Sequence, residues 1–159
     1  MDKPPIVIVL PTYVVEYALV DSSVRFVDTR TLNVGGQWLG AVPKLAICRN
    51  VETSEYHLSH CSDDWEDLCS VECRQTVEEL RSIAEKHYVG IKDKWIATGY
   101  SEAEAISTIE EIKDSMRCSF CGKSAYDSDV KSLIEGPDAM ICDSCVMDFA
   151  SSLTEDPPE

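Results

Sequence analysis

Eight cysteines and three histidines are the residues of this chain whose types could carry chemistry. Four of the cysteines form two pairs, Cys118-Ser119-Phe120-Cys121 and Cys142-Asp143-Ser144-Cys145, separated by twenty residues. Two residues between cysteines let one tight turn aim both sulfurs at a single metal ion, and a second such turn completes a tetrahedron. The spacing is that of a four-cysteine zinc site, so Cys118, Cys121, Cys142 and Cys145 are the expected ligands of one structural Zn2+ per chain. Four thiolates leave no open coordination position, which excludes a catalytic role for that metal. Gly122 follows the first pair, where a positive φ lets the chain turn back and point amides at the sulfurs. Lys123 places a positive charge beside an electron-rich cluster.

The remaining thiols give weaker patterns. Cys48, Cys61, Cys69 and Cys73, with His57 and His60, hold a second possible metal site, with Cys69, Cys73, His60 and Cys61 the favoured set. Against it, His57 and Cys61 on one strand face would stand about 13 Å apart at roughly 3.3 Å per residue. Cys69 and Cys73 could meet only across one helical turn. Buried free thiols that pack as small hydrophobes are the default. A Cys–His nucleophile needs side-chain contact and a third orienting group, which sequence does not display. The acidic run Asp63, Asp64, Glu66 and Asp67 lacks the spacing of a calcium loop and reads as a solvated turn.

These groups must be positioned by an α+β fold: an amino-terminal mixed sheet with two helices, then a small treble-clef zinc module. Ile6–Leu10 is a β-branched run, and Tyr13–Val15, Ser23–Val27, Lys44–Cys48 and Ser54–Cys61 read as further strands. Gly35-Gly36 marks a turn. Thr76 with Glu79, and Ser101 with Glu104, are capping boxes opening two helices. Their apolar stripes are Val77, Leu80, Ile83 and Ala84, then Ala105, Ile109, Ile112 and Met116. After Cys145 the apolar face Val146, Phe149, Ala150 and Leu153 predicts a third helix, whose positive end favours thiolate. The expected domains are 1–115, a zinc module at 116–154 and a disordered tail at 155–159.

Formal net charge is −15, from 29 acidic and 14 basic residues. That balance argues against nucleic acid, because phosphate contacts need surplus Lys and Arg, and against an anionic membrane surface. No stretch reaches the roughly 18 apolar residues of a membrane helix. With no export signal, paired CxxC thiols point to the reducing cytoplasm. No GxxxxGK[ST] phosphate loop is present, so ATP binding is not expected.

The run Cys118-Ser-Phe-Cys-Gly-Lys-Ser124, then Leu133-Ile-Glu-Gly-Pro137, then Ile141-Cys-Asp-Ser-Cys-Val146 resembles the zinc-binding domain of the ClpX unfoldase. The resemblance covers about 36 residues, and the spacer at Ala125–Asp129 is about two residues longer than is usual there. It implies a treble clef that dimerises through apolar surface and binds adaptors or unfolded substrates. Val130, Leu133, Ile134, Met140, Ile141 and Phe149 are then the partner or dimer surface, although packing within the module accounts equally well for half of them. The module sits here behind a domain that suggests no family. A non-enzymatic zinc protein that self-associates or recognises another protein is the leading expectation. An acidic, immunity-type protein neutralising a basic partner is the second, and a thiol-dependent enzyme in the amino-terminal domain the third.

Overall fold

A computed structural model describes residues 3–28, Arg30 and residues 32–154, the side chains of Val71, Glu72 and Thr154 excepted. The expected tail at 155–159 lies outside the described residues. The chain divides into two compact units, Met1–Ile109 and Glu110–Glu159.

The first unit contains β1 (Thr12–Leu19), β2 (Arg25–Phe26), β3 (Asn33–Val34), β4 (Gln37–Trp38), β5 (Lys44–Asn50), β6 (Tyr56–Cys61), β7 (Asp67–Arg74), α1 (Val77–His87), β8 (Tyr88–Val89) and β9 (Ile96–Ala97). The helix α2 (Glu102–Ser115) carries the division between the units. The main sheet is antiparallel with order β7-β6-β5-β1-β9. Two short pairs, β2–β8 and β3–β4, stand apart from it, the latter turning at Gly35-Gly36.

Strand alternation sorts the side chains onto two faces. Leu45, Ile47, Leu58, Leu80, Ala84, Tyr88 and Ile91 form one buried cluster, with Val77 and Ile83 packed against it. All four residues of the first predicted stripe thus lie in that cluster or against it, so α1 covers this face of the sheet. Both halves of its capping box form: the Glu79 amide donates to Thr76 Oγ1 at 3.3 Å and the Thr76 amide to the Glu79 carboxylate at 3.1 Å. Arg81 also donates Nε to the Glu16 carboxylate of β1 at 2.9 Å, tying helix to sheet. The opposite face buries Val14, Tyr17, Ala46, Cys48, Cys61 and Trp65. In α2 the Ser101–Glu104 box forms in the same way, and Ala105 and Ile109 are its buried residues.

Two expectations are corrected here. Ile6–Leu10 is not a strand: the chain bends there, with the Val14 amide donating to Ile6 O at 2.9 Å and Thr12 closing on Val9 O. Pro11 has no amide to offer a sheet ladder, and pairing begins at Thr12. The acidic run is also only partly a turn. Asp63 and Asp64 lie in the β6–β7 hairpin loop, whereas Asp67 begins β7 and accepts from Ser59 Oγ. Inside that loop Trp65, at φ 64°, turns its ring edge-on to Tyr17 at 5.5 Å.

The second unit holds β10 (Leu133–Glu135), β11 (Met140–Cys142) and α3 (Asp143–Thr154). The strands pair antiparallel, Leu133 opposite Cys142, around a turn closed by the Gly136 amide on Ala139 O at 2.7 Å.

Candidate metal centre

Each cysteine pair is delivered by a local device. In the first, the Cys118 amide donates to Lys123 O at 2.8 Å and the Gly122 amide to Cys118 O at 2.9 Å, closing a tight loop. Gly122 has φ 75°, a left-handed conformation that a side chain would disfavour. In the second pair, Cys142 ends β11 and Cys145 lies in the first turn of α3. The two halves are joined by reciprocal bonds between Ser119 and Met140: amide to carbonyl at 2.8 Å, and the Met140 amide to Ser119 Oγ at 3.0 Å.

The four sulfurs lie within 4.8 Å of one another. Cys118 Sγ stands 3.8 Å from Cys145 Sγ, and Cys121 Sγ 3.6 Å from Cys142 Sγ. A tetrahedron with Zn–S bonds of about 2.3 Å has S–S edges of about 3.8 Å, so the sulfurs already sit near the corners zinc requires. The cluster forms a site for one zinc ion. Among the described residues it is the one grouping of three or more such ligands.

Charge is managed by backbone dipoles. The Cys142 amide points at Cys118 Sγ at 3.4 Å, and the Cys145 amide at Cys142 Sγ at 3.5 Å. Desolvation opposes ionisation of Cys118, but amide donation from Cys121, Cys142 and Phe120 outweighs it and pulls the thiol down to about 6. Cys145 is pushed up, by desolvation first and then by the neighbouring thiols. Without a cation, then, Cys121 and Cys145 resist becoming thiolates. Zinc supplies the charge that lets them do so and joins the two halves of the finger. Lys123 pairs with Asp129, and its charge also interacts favourably with Cys121 and Cys142, as expected of a cation beside the cluster.

Sequence reasoning missed Asp143. Its carboxylate accepts from the Lys131 amide at 3.0 Å and the Ser132 amide at 3.3 Å, pinning the segment before β10 to the start of α3. Those bonds hold its pKa below the ordinary carboxylate value. An acidic residue just inside a predicted helix start was the available signal. Asp143→Ala is expected to weaken zinc affinity about tenfold, the usual scale for a lost outer-shell support, read by competition with a chromophoric chelator.

The alternative ligands are not brought together. Cys69 and Cys73 lie four residues apart on an extended strand, not on a helical turn. His60 faces Cys69 across the β6–β7 ladder, while Cys61, one residue on, belongs to the cluster on the opposite face. Burial pushes the Cys61 thiol up to about 12, with Asp67 adding to the shift, and raises Cys48 further. Both therefore stay protonated at neutral pH, as packed hydrophobes do.

Residues 116–155 match the family model of the ClpX C4-type zinc finger. No solved structure matches the chain. Within this ClpX-type finger the six predicted surface residues separate. Val130, Leu133 and Ile141 pack against the cysteine cluster, Met140 is half-buried, and Ile134 and Phe149 are exposed. Four large hydrophobic side chains outside that set are also exposed: Phe120 at 60%, Tyr126 at 50%, Met147 at 66% and Leu153 at 86%. Phe120 meets Phe149 edge-on with ring centroids 5.2 Å apart, linking the first knuckle to α3. No helix among the described residues is long and apolar enough to cross a membrane.

Proposed function

We propose that the finger is a zinc-folded, non-catalytic module that joins this chain to a second copy of itself and to apolar segments of other proteins, with the amino-terminal unit as its carrier. The observation that carries this reading is the exposed Phe120–Phe149 pair, with Leu153 one helical turn beyond Phe149 and with Met147 and Ile134 exposed elsewhere on the finger. Small soluble folds seldom leave so many large apolar side chains in water without a partner for them. The raised pKa values of Cys48 and Cys61 count against a thiol nucleophile in the other unit.

Native mass spectrometry of the zinc-loaded protein is expected to give a dimer with one zinc per chain. Phe149→Asp is expected to keep the zinc and raise the dimer dissociation constant at least about tenfold, as loss of an aromatic anchor does. A wild-type monomer at tens of micromolar would overturn self-association. The net charge of −15 favours a second reading, neutralisation of a basic partner. Salt separates the two. Apolar contact between like-charged chains strengthens with added salt, whereas attraction to a basic partner weakens.

A further inference from the structure

The four sulfurs of the finger are unequally shielded. Cys118 is 2% exposed, Cys142 fully buried and Cys145 9% exposed, whereas Cys121 is open to solvent. The residue preceding this exposed cysteine, Phe120, is half of the aromatic contact with Phe149. Cys121 Sγ stands 3.6 Å from Cys142 Sγ. A disulfide needs about 2.05 Å, a separation that two corners of a zinc tetrahedron with edges of about 3.8 Å cannot reach. Joining these two sulfurs therefore removes two of four ligands and leaves the metal on Cys118 and Cys145 alone.

We propose that Cys121 makes the finger a peroxide-sensitive switch: oxidation starts at this least shielded of the four cysteines, closes a Cys121–Cys142 disulfide, releases zinc and dismantles the Phe120–Phe149 face. In the first step the Cys121 thiolate attacks one oxygen of a hydroperoxide. The O–O bond breaks, hydroxide or alkoxide leaves, and Cys121 becomes a sulfenic acid. In the second, the Cys142 thiolate attacks that sulfur, the S–O bond breaks and hydroxide leaves. Two thiolates lose two electrons in total and the peroxide gains them, with the metal unchanged at Zn2+. Loss of the ion uncouples the knuckle carrying Phe120 from the helix carrying Phe149, because the finger is too small to fold on apolar burial alone. This last consequence rests on the role assigned to that face above; the oxidation chemistry does not.

The test uses the full chain with Cys73→Ser, which removes the exposed thiol of the other unit. The zinc-loaded protein is treated with hydrogen peroxide in the presence of a chromophoric chelator, and disulfides are mapped by peptide mass spectrometry. Zinc is expected to appear in step with a Cys121–Cys142 disulfide, and a dithiol with added zinc to reverse both. Cys121→His, which keeps four ligands, is expected to hold zinc and to release it at least roughly tenfold more slowly, since no exposed thiolate remains. Zinc retained while other cysteines oxidise would overturn the switch, as would a first disulfide lacking Cys121 or an undiminished rate in Cys121→His. Release of zinc with self-association unchanged would support the switch and overturn instead the role given to the apolar face.

Discussion

Cys142→Ser is expected to unfold the finger while Met1–Ile109 keeps its own cooperative transition. Cys142 is fully buried, ends β11 opposite Leu133, supplies one corner of the sulfur cluster and accepts the Cys145 amide. Serine keeps the size but not the soft, ionisable donor that zinc selects. Zinc binding in modules of this kind is worth about 10 to 16 kcal/mol at neutral pH, far more than the packing of Val130, Leu133 and Ile141 around the cluster can replace. Amide hydrogen exchange resolved by segment is the measurement. Protection should vanish across residues 116–154 and persist in β5 and β6. Loss of protection in both units together would show a single cooperative body and defeat the prediction. Chelation of the wild type should reproduce the result, and acid should promote it, because protons compete with zinc for the thiolates.

The second large effect concerns His60. Its ring is 1% exposed and packs beside Tyr88, with centroids 6.0 Å apart. Nδ1 lies 3.2 Å from the Cys69 carbonyl, so it carries the proton and donates, and Nε2 is left buried without a partner. Desolvation lowers the pKa to about 4; His87 adds to the shift, while the Cys69 bond and Asp67 oppose it. A histidine held neutral in the fold and free to charge once unfolded contributes stability that is present above about pH 6.5. That contribution is lost as pH falls toward 4, because the unfolded chain binds the extra proton first. The two values imply a loss of about 3 kcal/mol across the window. His57, lowered mainly by desolvation, acts in the same direction. Denaturant melts of the amino-terminal unit at pH 7 and pH 4.5 should show the wild type losing clearly more than His60→Leu. Equal losses in the two proteins would show that His60 does not titrate on unfolding.

How much was legible beforehand differs between the two units. In the finger nearly everything needed was local. A CxxC turn fixes its own geometry within a few residues, Gly122 supplies the one left-handed position, and the pattern after Cys145 names the helix. The capping boxes at Thr76 and Ser101 were readable for the same reason, since donor and acceptor lie three residues apart. What escaped was any role depending on a distant backbone, such as Asp143 holding the amides of Lys131 and Ser132, or Ser119 bonding Met140.

In the amino-terminal unit, composition and alternation determined an α+β fold and which helix stripe is apolar, but pairing across the chain decided the rest. Only the ladder shows that Asp67–Arg74 is an edge strand, that the run before Pro11 is not a strand, and that His60 and Cys61 face opposite ways. Of the six residues proposed as a surface, only packing reveals that Val130, Leu133 and Ile141 serve the cluster, while Phe120 and Met147, outside that set, are exposed. The physical reason is common to all of these. The sequence by itself determined the metal site because each CxxC pair is a contact among near neighbours in the chain, and two such pairs together supply the four corners of one zinc tetrahedron. Burial and strand register are contacts among residues far apart, which only the tertiary structure can assign.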